Sequence, residues 1–372
     1  MKYYIIAGEA SGDLHGSNLM KELIHKDPTS DFRYWGGDLM AAHGGTQVMH
    51  YKDTAYMGFF EVFVHLPDIF KNIRNCKKDI LNYKPNALIL IDYPGFNLRI
   101  AKFAKENNIK VYYYISPKVW AWKKSRIKKL KAFTDKLLVI FPFEPEFFKS
   151  HGMSVDFVGN PLLDEIVPIL KTQSSREVFC NENGLDTRPI VALLPGSRKS
   201  EIKHNFPAMV KLSEEFADFQ FVVAKAPSLS AELFEKYIGD RPIHMVDNKT
   251  YKLLSHAKAA VVTSGTATLE TAFFGVPEFV CYRGDAVSFE IAKRLVDVKY
   301  ISLVNLIADE LVIKELIQYD MTGKNLKDEL HQLLFDQDYI EKMKQAFIAV
   351  KEKSGGQGAS ARAAELISDS LK

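Results

Sequence analysis

The stretch Ala87-Leu88-Ile89-Leu90-Ile91-Asp92-Tyr93-Pro94-Gly95-Phe96-Asn97 joins an unbroken apolar run to an acid and a turn containing Pro and Gly, after which an amphipathic segment begins. Apolar residues that do not alternate with polar ones suit a strand buried on both faces, and the turn then feeds a helix. The same unit recurs outward in both directions. Before it, candidate strands are Tyr3–Ala7, Phe32–Trp35 and Gln47–Met49; after it come Lys110–Ile115, Lys136–Ile140 and Val155–Val158. A second series follows at Ile190–Leu194, Gln220–Ala224, Ile243–Met245, Ala259–Val262 and Glu278–Tyr282. Strands alternating with helical segments predict βα units and parallel sheets.

The rhythm pauses at Gly159-Asn160-Pro161 and resumes after Arg188-Pro189. The chain of 372 residues is long enough for two domains at about 150 residues each. The expected division is an N-terminal Rossmann-like domain over 1–165 and a second over 166–337. Past Ile301 only helices are expected, over Thr322–Phe335, Asp338–Lys353 and Ser360–Leu371, with a break at Gly355-Gly356. The tail 338–372 is expected to return to an N-terminal domain. Two doubly wound halves facing across a cleft, with a helical C-terminus, are the α/β architecture of GT-B glycosyltransferases. Open sheets of this kind bind ligands beyond the carboxyl ends of their strands. Architecture alone does not supply the chemistry.

Composition narrows the classes. Forty-nine Lys+Arg against 46 Asp+Glu leave a net charge of +3, too small a field to point to nucleic acid as a partner. Cys76, Cys180 and Cys281 are few and widely separated, which excludes a disulfide framework and a close-spaced zinc motif and fits a reducing compartment. The apolar run at Tyr3–Ala7 meets Glu9 too soon for a signal peptide, and no uncharged apolar stretch reaches the length of a membrane span. The expected location is the cytoplasm.

The loops after the strands carry the candidate chemistry. Gly8-Glu9-Ala10-Ser11-Gly12-Asp13 reads either as a tight turn with Asp13 at a helix N-terminus or as a loop where glycines admit a substrate and Glu9 or Ser11 bonds it. Asp92 is either a helix-capping acid or a general base whose burial raises its carboxyl toward neutrality. Ser116-Pro117-Lys118-Val119-Trp120-Ala121-Trp122 suits aromatic packing, sugar stacking or lipid contact. Lys110 to Lys131 holds eight basic residues and no acid, as a solvated helix face or a surface drawn to anionic lipid. Leu194-Pro195-Gly196-Ser197-Arg198 lacks the frame of a serine-hydrolase elbow and reads as a phosphate turn, with helix amides and Arg198 holding a diphosphate. Thr263-Ser264-Gly265-Thr266-Ala267-Thr268-Leu269-Glu270 repeats strand, hydroxylic turn and helix, with Glu270 either simply buried or placed for ribose hydroxyls. Asp336-Gln337-Asp338 follows a helix, and Asp338 with Glu341 reads as a capping box, so no metal is assigned.

Taken together, the loops Gly8–Asp13, Ser116–Trp122, Leu194–Arg198 and Ser264–Glu270, with Ser302-Leu303-Val304-Asn305-Leu306, resemble lipid-A-disaccharide synthase from residue 3 to about residue 317. The resemblance implies an inverting, metal-independent hexosyltransferase without cofactor. It would join UDP-2,3-diacylglucosamine to 2,3-diacylglucosamine 1-phosphate (lipid X), giving a β-1,6-linked disaccharide phosphate and UDP. It makes Asp92 the catalytic aspartate, with Glu9 beside it. Ser11, Gly12, Asp13, Ser116, Trp120, Arg198, Ser264, Gly265, Thr266, Glu270 and Asn305 become substrate-binding residues. Gly95 stands where many members carry a second aspartate, and Asn160 where many carry His. The implied place is the cytoplasmic face of the inner membrane, as a peripheral protein; a homodimer is compatible with it.

Met57–Phe70 is dense in large apolar side chains, yet Glu61, Pro67 and Asp68 make it unfit to span a bilayer. It reads as a core helix or as a membrane-docking segment through Phe59, Phe60, Phe63 and Val64, aided by Lys123, Lys124, Arg126 and Lys128. The rival readings of the whole chain are a UDP-sugar 2-epimerase and a sugar-nucleotide-binding module of similar architecture.

Overall fold

The computed structural model describes residues 1–53, 66–172, 175–285, 289–290, 294 and 298–372. The chain divides into two compact units, one of Met1–Pro161 with Gly355–Lys372 and one of Leu162–Ser354.

In the first unit, strands β1 (Lys2–Ala7), β2 (Asp31–Gly36), β3 (Thr46–His50), β4 (Ala87–Ile91), β5 (Lys110–Tyr114), β6 (Lys136–Val139) and β7 (Asp156–Phe157) form a seven-stranded sheet ordered β3-β2-β1-β4-β5-β6-β7. Every pairing is parallel, with Ala7 opposite Ile91 and Ile91 opposite Tyr114. All of β4 is buried, which is why it reads as a run and not as an alternation. The helices Leu66–Tyr83 and Pro94–Glu106 cover one face through Ile73, Cys76, Ile80, Ile100 and Ala104. Truncating such a buried Leu or Ile to Ala costs about 2–5 kcal/mol.

In the second unit, β8 (Ile190–Leu194), β9 (Gln220–Lys225), β10 (Ile243–Asp247), β11 (Ala257–Thr263), β12 (Glu278–Tyr282) and β13 (Glu315–Ile317) form a parallel sheet ordered β10-β9-β8-β11-β12-β13. Strand β13 corrects the expectation that strands cease after Ile301. It is a three-residue edge strand in which only Leu316 is buried, too short to show an apolar pattern.

The tail is shared between the units. Gln337–Lys353 packs on the helices Leu303–Ala308 and Thr266–Phe273, whereas Ala359–Asp369 packs on Ala10–Lys26. Arg362 ties this last helix down by donating to the Val158 carbonyl at 2.8 Å. Gly355 has φ +87° and lies so close to Gly159 that a Cβ would stand 2.9 Å from its Cα, so only glycine fits there. The cap of Gln337–Lys353 is Asp336, which takes the Tyr339 amide at 3.0 Å, and not the expected Asp338.

Candidate active site

Each sheet has one point where strand order reverses, and the loops carrying Glu9, Asp92, Arg198 and Ser264 leave the strands there. In the first unit the reversal lies between β1 and β4, and in the second between β8 and β11. Loops leaving such a pair diverge to opposite faces and open a crevice at the strands' carboxyl ends.

Glu9 follows β1 and Asp92 follows β4. Asp92 and Tyr93 both have left-handed backbones, φ 41° and 46°, and Ile115 past β5 has φ 62°. Strain of this kind persists only where the surroundings impose it. Here the Asp92 carbonyl accepts the Tyr113 hydroxyl and the Asn97 amide, which holds the turn. The Tyr93 ring lies against Gly8, where a Cβ would approach it to 2.4 Å, so the two loops fit only because residue 8 has no side chain. The structure thus brings Glu9 and Asp92 together. Desolvation pushes the Asp92 carboxyl up to about 6, with Lys118 opposing, Glu9 adding to the rise, and the Tyr93 amide and Arg126 opposing. A carboxylate with that value is poised to accept a proton near neutral pH.

Other residues of the first unit turn into the fold. The Asp13 carboxylate is buried and receives the amides of Gly37, Leu39 and Met40 at 2.6, 3.1 and 3.2 Å, so it fastens the loop after β2. Gly12 is buried against Ala7, and Ser11 is exposed beside Glu9. Ser116 is buried and donates to the Pro117 carbonyl at 3.0 Å. Trp120 is 8% exposed and lies edge-on to Phe141 and Phe143, the aromatic packing that was one of the readings of this loop. The exposed indole is Trp122, at 42%. Beneath this loop Glu144 is buried, accepts the Ile140 and Phe141 amides, and is pushed up to about 7 by burial. Gly95 is exposed and Asn160 buried.

In the second unit the turn after β8 is built around Gly196, φ +105°. The Glu201 carboxylate receives the Ser197 and Arg198 amides at 2.9 and 3.1 Å and the Arg198 guanidinium at 2.9 Å. Arg198 itself is 63% exposed. After β11, Ser264 donates to the Ile301 carbonyl at 2.9 Å, Gly265 has φ +157°, and Thr266 is exposed at the start of its helix. One turn on, Glu270 accepts from the Tyr251 hydroxyl at 3.2 Å, and burial raises its carboxyl while that bond lowers it. Both line a pocket of about 420 Å³ with Ile169, Asn248, Lys249 and Thr250.

That pocket was missed from the sequence, although Asn248–Thr250 follow β10 as the other site loops follow their strands. Asn305 turns into the fold. It is fully buried, its amide donates to the Ile313 carbonyl and Glu315, and its oxygen takes the Val312 and Ile313 amides. It anchors the edge of the sheet. Phe59, Phe60, Phe63 and Val64 lie outside the described residues. Among the described residues no group of His, Cys, Asp and Glu is arranged to hold a metal ion.

Comparison with known proteins decides the family. A profile of lipid-A-disaccharide synthetase matches residues 3–369. The chain belongs to that family. The lipid-A-disaccharide synthase of Geobacter metallireducens is 38% identical over 99% of this chain and 96% of its own, and that of Nitrosococcus oceani 37% over 97% and 94%. Solved structures with the same GT-B fold include the UDP-GlcNAc 2-epimerase of Neisseria meningitidis bound to UDP-GlcNAc, at TM-score 0.65 and 13% identity, covering 100% of this chain and 99% of that one. The glycotransferase of kitacinnamycin also has TM-score 0.65 at 13% identity, covering 100% and 99%. At such identity these two share the fold alone. A member of the lipid-A-disaccharide synthetase family is a glycosyltransferase, and the epimerase and binding-module readings give way to that.

Proposed function

We propose that this glycosyltransferase condenses UDP-2,3-diacylglucosamine with 2,3-diacylglucosamine 1-phosphate, forming the β-1,6-linked lipid A disaccharide 1-phosphate and releasing UDP. Within the family assignment, the observation that carries the mechanism is Asp92, a strained, desolvated carboxylate at the switch point of the first sheet. It takes the proton of the acceptor's 6-hydroxyl as that oxygen bonds to the donor's anomeric carbon. The bond from that carbon to the UDP oxygen breaks with inversion. Negative charge gathers on the departing diphosphate, and Arg198 with the turn amides stabilises it.

The first unit is the acceptor side and the second the donor side in this reading. The pocket beside Glu270 and Tyr251 takes the nucleoside, with the Ser264–Thr266 turn toward the phosphates. Among the described residues no helix is long and apolar enough to cross a membrane. Acyl chains prefer the bilayer by about 0.8 kcal/mol per methylene, so the enzyme works at the membrane surface, on the cytoplasmic side where nucleotide sugars are made. Incubation with UDP-diacylglucosamine, with and without acceptor, tests the reaction. UDP release and disaccharide formation that require acceptor support it; UDP release without acceptor, or a product epimerised at C2, refutes it.

A further inference from the structure

Three cations follow β5 in the loop and helix start beyond its carboxyl end, and Lys118 acts on both Asp92 and the buried Glu144 without pairing closely with either. Lys118 is exposed past the end of β5. Lys123 and Arg126 flank the Trp122 indole, the ammonium 4.1 Å and the guanidinium 5.9 Å from the ring centroid. Cation–π contacts of this kind hold long side chains in place without neutralising them. Among the described residues none of the three forms an ion pair, although Lys105, Lys110 and Lys136, toward the amino edge of the same sheet, do. Left-handed backbones at Ile115 and Lys123, φ 62° and 56°, fix the course of the loop that carries them.

Their position sets up a conflict. β5 lies beside β4 in register, and both Lys118 and Arg126 act on the Asp92 carboxyl, lowering it against desolvation and the charge of Glu9. Arg126 also acts on Tyr113, whose buried hydroxyl donates to the Asp92 carbonyl. Cations beside a carboxylate stabilise its charge and so weaken it as a base. Two uncommitted cations next to the catalytic carboxylate therefore oppose proton abstraction unless something anionic engages them during the reaction. A phosphate monoester, with about two negative charges at neutral pH, matches the pair in charge and offers several acceptor oxygens to their N–H donors.

Building on the transfer reaction above, we propose that Lys118 and Arg126 bind the phosphate of the acceptor glycolipid. The acceptor's own anion then anchors its free hydroxyl at Asp92 and neutralises the two cations beside that carboxylate. The base reaches full strength only once the acceptor is bound. Glu9, exposed on the other side of Asp92, keeps the phosphate on the β5 side by repulsion.

The test uses neutral detergent micelles, so that anionic headgroups cannot stand in for the acceptor's phosphate. Transfer is compared between diacylglucosamine 1-phosphate and the same diacylglucosamine without phosphate. Lys118→Gln and Arg126→Gln should each lose about 10-fold or more in kcat/KM on the phosphorylated acceptor and little on the other. Lys118→Arg should restore most of the loss, and UDP affinity by calorimetry should not change. The acidic limb of kcat should lie above that of kcat/KM in the parent enzyme, because only the former reports the acceptor-bound state, and the gap should close in the variants. Equal losses on both acceptors, or coincident limbs in the parent enzyme, overturn the subsite alone. Absence of transfer to either acceptor overturns the transfer reading, and the subsite with it.

Discussion

The Arg198 guanidinium rests on Glu201, Nη1 to Oε1 at 2.9 Å, while the other oxygen of that carboxylate takes the Ser197 and Arg198 amides. The groups assigned to the donor's diphosphate are thus held by an internal acid, and ligand and Glu201 compete for them. Arg198→Ala should weaken UDP by about 1.5–3 kcal/mol, the usual contribution of a hydrogen bond to a charged group. Glu201→Gln keeps an acceptor oxygen for the amides but removes the rival charge, so UDP should bind more tightly. Titration calorimetry reads both; a Glu201→Gln protein that binds UDP more weakly would show that the acid presents Arg198 to the ligand instead.

Asp92→Asn should separate activity from stability. Loss of the base lowers turnover by about 100- to 10,000-fold, and Asn tolerates the left-handed backbone that residue 92 adopts. The fold should gain. The carboxyl value rises from 3.8 to about 6 on folding, so stability present at low pH is lost as pH climbs through about 6, by about 3 kcal/mol in all. Denaturant titrations at pH 8 should find Asp92→Asn more stable than the parent, with the difference vanishing near pH 4. The parent's kcat/KM should fall on the acid side with a midpoint near 6. A midpoint near 4 would assign the base elsewhere.

What could be read in advance follows from burial. Ile190–Leu194 and Ala87–Ile91 are buried on both faces and so announce themselves as apolar runs, and the loops behind them fall at the carboxyl edge by the geometry of parallel sheets. Asp13 and Asn305 could not be judged this way. Asp13 takes the amides of Gly37, Leu39 and Met40, which the fold brings in from beyond β2, and Asn305 is held by the turn from Val312 to Glu315 that leads into β13; neither pairing has a local sequence pattern. Lys118 was visible only as one of a basic run. That it acts on Asp92 depends on the register of β5 against β4.

Glu270 is expected to read the ribose. It lines the pocket with Tyr251, whose hydroxyl holds it at 3.2 Å. The parent protein should prefer UDP to 2′-deoxy-UDP, and Glu270→Ala should erase that preference, worth about 1.5–3 kcal/mol. Tyr251→Phe removes the donor that lowers the Glu270 carboxyl and should weaken UDP to a smaller extent. Equal affinity of the parent for both nucleotides would take Glu270 off the sugar.

Transfer should persist in a chelator. Arg198 and the turn amides already offer positive charge to the departing diphosphate, and a second positive centre would have to displace them. Turnover measured in EDTA should match turnover with added divalent ion. Loss in EDTA that Mg²⁺ or Mn²⁺ restores would show that the diphosphate is carried by metal.

Between Met57 and Leu66 only Glu61 and His65 are polar, which leaves more apolar surface than one packing face uses. The helix Leu66–Tyr83 turns Ile69, Ile73, Cys76 and Ile80 to the core, and Phe70, one residue off that stripe, is 57% exposed. An exposed Phe next to so apolar a run fits the proposal that an enzyme acting on acyl-chain substrates works at the membrane surface. Lys123, Lys124 and Lys128 are exposed in the same unit and add attraction to anionic headgroups that salt should screen. Flotation with anionic liposomes should therefore recover the parent at low salt and less of it at high salt. Replacing Phe60 and Phe63 by Ser should reduce recovery at either salt while the melting temperature stays near the parent's, and Phe70→Ser should do the same to a smaller degree. If the Phe60 and Phe63 substitutions instead abolish cooperative unfolding, those rings belong to the core and the docking surface lies elsewhere.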